Sequence, residues 1–69
     1  MNIKIDEAII AKIKQVKHSV AILNMLDIIT KRPNTEYNRG VVHGYLLTLS
    51  TEGIIGGDDA LSILEQIER

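Results

Sequence analysis

The segment Arg39-Gly40-Val41-Val42-His43-Gly44-Tyr45-Leu46-Leu47 reads as the middle of an amphipathic helix, yet it carries two glycines four residues apart. Glycine costs about 1 kcal/mol relative to alanine at a helix-interior site, so Gly40 and Gly44 on one face predict a closely approaching neighbour. Another helix is the expected neighbour, since the small-xxx-small arrangement lets two helix backbones come together. Such a chain is confined to architectures in which helices pack on helices.

The length of 69 residues supports one domain, 1–69. A domain this short buries only about 60% of the surface its unfolded form exposes, so it ordinarily needs disulfides, a metal or association. There is no cysteine, and the two histidines, His18 and His43, stand too far apart to complete a structural zinc site. Association remains. Phe and Trp are absent, which leaves Ile, Leu and Val to supply most of the 45% hydrophobic fraction. No apolar run reaches the roughly 20 residues of a membrane span, and Met1-Asn2-Ile3-Lys4-Ile5-Asp6 lacks the layout of a signal peptide, so a cytoplasmic protein is expected.

A single proline divides the chain. Asp6 is placed to cap a first helix over about 6–32, ending where Pro33 biases its predecessor out of helical geometry. Within it Ile9, Ile13, Val16, Val20 and Leu23 alternate in spacings of four and three, the pattern of a coiled-coil-like seam. Residues 20–29 are apolar nearly all round, which predicts cover on more than one side. A second helix over about 35–53 follows the Arg-Pro-Asn turn. Val42, Tyr45, Leu46 and Leu49 form one face of it, and Gly40, Gly44, Thr48 and Thr51 form a small-residue face roughly opposite. The turn Ile54-Ile55-Gly56-Gly57 leads to a third helix over about 58–68, with Asp58 and Asp59 in its first turn to complement the macrodipole. The expected fold is all-α: an antiparallel helical hairpin plus a short C-terminal helix, assembled into a homo-oligomer.

The formal net charge of −1 gives no electrostatic reason to bind nucleic acid or an anionic membrane. Charge is nonetheless uneven: residues 1–32 hold six Lys/Arg against three Asp/Glu, and residues 33–69 hold two against six. Lys12, Lys14 and Lys17 diverge around the first helix and make no single stripe. The expected polar surface is instead Glu36, Arg39, His43 and Ser50 along the second helix. An arginine beside a histidine can bind phosphate or carboxylate, and Tyr37 or Tyr45 can supply a flat contact. The preferred reading of the same strip is nevertheless structural, ion pairing across the hairpin of Arg39 with Asp27 and Glu36 with Lys31, as surface charges commonly adopt at little gain. Gly56-Gly57-Asp58-Asp59 lacks the Lys and Ser/Thr of a phosphate loop. No catalytic, metal or cofactor constellation is predicted.

Residues 38–67, reading Asn38-Arg39-Gly40, then Gly44, Leu46, Leu49, Gly53-Ile54-Ile55, Asp59-Ala60-Leu61 and Ile67, resemble small helical proteins encoded by bacteriophages and prophages. The resemblance covers less than half the chain and implies action by binding: modifying a host enzyme, blocking a defence system, or sequestering a signalling nucleotide. It supplies no site residues. The expected function is therefore a non-enzymatic, oligomeric inhibitor or regulator of a host protein or defence system. A sponge for an anionic small molecule such as a signalling nucleotide, and then a small DNA-associated regulator, are the alternatives. Expected packing and oligomer residues are Gly40, Gly44, Ile9, Ile13, Val16, Val20 and Leu23; expected ligand or partner contacts are Arg39, His43, Tyr37, Tyr45 and Glu36.

Overall fold

Helix formation begins where Asp6 can cap it. Its Oδ1 accepts the Ala8 amide at 3.0 Å in the computed structural model, which describes residues 1–67. Helix α1 spans Glu7–Ile13, α2 Ser19–Thr30, α3 Glu36–Thr51 and α4 Gly57–Leu64, and no strand occurs among the described residues. The expected third helix would have ended at residue 68, which lies outside the described residues.

The expected continuous helix over 6–32 is two helices. The break falls at Lys14–His18, a segment without glycine or proline, where His18 takes φ −106° and ψ 38°. Tertiary burial explains it. A continuous helix from residue 7 to residue 30 would run about 36 Å at 1.5 Å per residue, whereas the molecule's longest dimension is 31 Å. Folding α1 back instead places Ile9 and Ile13 in the same core as Leu26 and Ile29 of α2. Each buried aliphatic side chain contributes about 1.5–3 kcal/mol, more than the few hydrogen bonds lost at one interrupted turn. The predicted five-residue seam is split accordingly: Ile9 and Ile13 are buried, Val16 and Leu23 are half-buried, and Val20 is 71% exposed.

Thr35 caps α3, its hydroxyl accepting the Asn38 amide at 3.1 Å. The other end closes at Gly53, whose φ of +75° is open to glycine without steric cost. There the Ile54 amide reaches Leu49 O at 2.9 Å and the Gly53 amide reaches Ser50 O at 3.1 Å, the two reversed bonds of a Schellman ending. This turn brings α4 back so that α3 packs against both α2 and α4. Val42 and Leu46 are fully buried between them, with Ile63 arriving from α4.

Ahead of α1, Met1, Ile3 and Ile5 are half-buried against the core while Asn2 and Lys4 face water, so residues 1–5 form an extended strap. Gln66 holds it in place: the Lys4 amide donates to Gln66 Oε1 at 2.8 Å, and Gln66 Nε2 donates to Lys4 O at 2.8 Å. The Met1 ammonium donates to Arg32 O. Among the described residues no helix is long and apolar enough to cross a membrane.

Candidate functional site

The exposed large hydrophobic side chains lie on three helices: Val20, Met25 and Ile28 on α2, Tyr37 and Leu47 on α3, and Leu61 on α4. Only one of the two predicted faces of α3 is covered: Val42, Leu46 and Leu49 are buried, whereas Gly40, Gly44, Thr48 and Thr51 are exposed. The close approach predicted at the glycines is not made within the chain, because a β-carbon at Gly40 or Gly44 would meet nothing within 4 Å. The reason lies in the rotation of α3. Its larger aliphatic face wins the contacts with α2 and α4, and the small residues turn outward.

Gly40 and Gly44 therefore form the floor of two adjoining depressions. On the α2 side they share a groove of about 270 Å³ with Met25, Ile29, Val41, Tyr45 and Thr48, a mainly apolar lining. Met25 is 43% exposed at its rim, and Ile28 and Val20, on the same outward side of α2, are 54% and 71% exposed. The near-continuous apolarity of residues 20–29 is thus not hidden by the fold: Leu26 and Ile29 are buried, and the opposite arc faces water. Tyr37, 77% exposed, extends the same surface beyond Gly40 and Val41.

On the other side of α3, the glycines border a hollow of about 370 Å³ together with Glu36, Arg39, His43, Leu64 and Ile67. Three members of the predicted polar strip are brought together here, but the tyrosines are not. Tyr37 lines a separate depression and Tyr45 lies in the apolar groove, where burial pushes its hydroxyl pKa up from 10.0. The predicted ion pairs across the hairpin do not form. Arg39 Nη1 donates to Asn34 Oδ1 at 3.0 Å, and Asp27 pairs with Lys31 one turn along its own helix at 2.6 Å. A local partner within the loop or helix reaches each charge without the entropy of holding two long side chains across an interface.

His43 is exposed on α3 and His18 precedes α2. Among the described residues no cluster of three or more His, Cys, Asp or Glu is arranged to hold a metal ion. Sequence reasoning missed Met25 and Ile28 as exposed residues of α2 and Met25 as the rim of the groove. Their signal was present in the apolarity around residues 20–29, but the face that turns outward depends on where α1 folds back. No family model, no curated protein and no solved structure matches the chain.

Proposed function

We propose that this chain is a non-enzymatic helical binding protein, acting in the cytoplasm as a homo-oligomer that inhibits or regulates a host protein. The fold behind it is an antiparallel α2–α3 hairpin closed by α4, supported by the short Lys31–Thr35 connection and by the groove that α2 and α3 jointly line. The phage-type resemblance of residues 38–67 points toward a host target.

The observation that carries this reading is the open α2–α3 groove, where Met25, Ile29, Val41 and Tyr45 stand around a glycine floor. An amphipathic helix laid in such a groove buries its apolar stripe, and the absence of side chains at Gly40 and Gly44 lets its backbone come close. The test is affinity capture from host lysate with the wild type, Gly44→Leu, which fills the groove, and Lys14→Ala, which lies outside it. A protein retained by the wild type and Lys14→Ala but lost with Gly44→Leu supports the reading. Capture unaffected by Gly44→Leu contradicts it.

A second reading has its own observation, the hollow shared by Arg39 and His43 beside Leu64 and Ile67. A guanidinium over an apolar wall suits an anionic ligand such as a nucleotide. Glu36 at the same hollow and the bond from Arg39 to Asn34 count against it. Co-purification of nucleotide with the wild type and its loss in Arg39→Ala would favour this second reading; preparations free of nucleotide would remove it.

A further inference from the structure

We infer that the partner copy in the oligomer is reached by exchange of the strap and α1, with Lys14–His18 opening so that α1 and α2 become one continuous helix. This inference rests on the proposed homo-oligomer and specifies how two copies join. Three observations converge on it.

First, the break between α1 and α2 has no residue that requires it. Lys14-Gln15-Val16-Lys17-His18 contains neither glycine nor proline, and Lys14 itself keeps helical angles of φ −63° and ψ −14°. Helix continuation through this segment removes no capping side chain from α2, since His18 makes no side-chain capping bond. Closed and open forms differ mainly in whether α1 packs on its own core or on another.

Second, the sequence is patterned for the open form. At 100° per residue Ile9, Ile13, Val16, Val20 and Leu23 fall within a narrow arc of one continuous helix, a periodicity that the broken form uses only in part: Ile9, Ile13 and Leu23 join the core, whereas Val16 and Val20 do not. Lys14 and His18 fall on the far side of that helix, away from the seam. In the closed form the seam's centre is left over: Val16 is half-buried and Val20 is the most exposed aliphatic side chain among the large exposed hydrophobics. Two long helices crossing at residues 16–20 cover Val16 and Val20 with their copies, while Ile9 and Ile13 enter the other chain's core through the contacts they already make.

Third, everything that α1 and the strap touch can be supplied by a second copy unchanged. Lys12 Nζ reaches Asp59 Oδ2 at 2.6 Å, and Lys4 reaches Gln66 at 2.8 Å through both backbone groups. These bonds link residues far apart in sequence, so exchange re-forms each of them between chains and adds the new contact at the crossing.

The test uses the wild-type chain. Unlabelled and nitrogen-15-labelled protein are unfolded and refolded together in equal amounts. Zero-length carbodiimide cross-linking then joins the Lys12–Asp59 pair, the mass of the particle is measured by light scattering, and the cross-linked peptide is read by mass spectrometry. Exchange predicts a dimer in which roughly half of the Lys12–Asp59 peptides carry one label of each kind. Ser19→Pro occupies the first position of α2, where the amide has no helical partner, but interrupts a continuous helix; it should lower the mixed fraction at least about tenfold. Mixed-label peptide at background in a dimer overturns the exchange and leaves the oligomer standing. Mixed-label peptide at background in a monomer overturns both. Should Ser19→Pro not fold, the wild-type label count alone decides.

Discussion

Lys12 Nζ lies 2.6 Å from Asp59 Oδ2, and the same carboxylate oxygen accepts the Gly56 amide at 2.8 Å, so one side chain ties α1 to the start of α4. The bond to Lys12, followed by that to the Gly56 amide, holds the Asp59 carboxyl below its ordinary 3.8. Asp59 in turn holds the Lys12 ammonium above 10.5. The contact spans 47 positions of sequence and closes the fold at the point where α1 departs from the helix that the periodicity favours.

A pH dependence follows with a defined sign. Because the Asp59 value is depressed, its stabilisation is present above 3.8 and is lost as pH falls through the lower folded value. The Lys12 value is raised, so its stabilisation is present below 10.5 and is lost as pH rises through the higher folded value. Melting curves of the wild type and Asp59→Asn should differ at neutral pH and converge in strong acid. Equal melting temperatures at neutral pH would show that the tie contributes nothing.

Gly40→Ala and Gly44→Ala should each stabilise the isolated protein by about 0.5–1 kcal/mol, because each added β-carbon enters open space while the unfolded chain loses freedom. For a domain of this size that raises the melting temperature by several degrees, about 4–8 °C per kcal/mol. Destabilisation in thermal melts would mean that the glycine face is already occupied in the isolated protein.

Truncation should separate the two sides of the apolar sequence. Ile13→Ala and Leu46→Ala remove fully buried side chains and should each cost about 2–5 kcal/mol, a large share of the roughly 5 kcal/mol such a small domain commands. Ile28→Ala, on the exposed arc of α2, should cost less than about 0.5 kcal/mol in urea titrations of the dissociated chain. Similar losses at all three positions would contradict the inside and outside assigned to α2.

The strap supplies a dynamic test. Gln66→Ala removes both bonds to Lys4 and should cost about 1 kcal/mol, seen as faster amide exchange at Lys4 while the amides of α3 keep their protection. Unchanged exchange at Lys4 would show that Gln66 does not hold the strap.

The all-helical class was legible because the apolar spacings of the chain are helical, and the ends of α3 because Thr35 and Gly53 are local signals whose chemistry acts within a turn. The break at Lys14–His18 was not legible. Local pattern favours a continuous helix there, and the decision belongs to the core that receives Ile9 and Ile13, a contact formed with residues distant in sequence. The strap was missed for a related reason. Met1, Ile3 and Ile5 alternate as an extended segment should, but three positions beside a terminus are a faint signal until Gln66 is seen to bond both sides of Lys4. At the site, sequence placed Gly40 and Gly44 on one face of α3 but left open whether that face turns inward. The ion pairs it expected for Arg39 and Glu36 do not form, since Arg39 reaches back to Asn34 just ahead of α3 and Lys31 is taken by Asp27 at the end of α2.

We propose that Val20, 71% exposed in the single copy, is covered by a second copy of the chain. Light scattering on refolded protein at micromolar concentration decides between a shared and a solitary Val20. The expected particle holds at least two 7.7 kDa chains and dissociates when Val20 is replaced by Asp. A folded particle of 7.7 kDa that stays single as the concentration rises would contradict it.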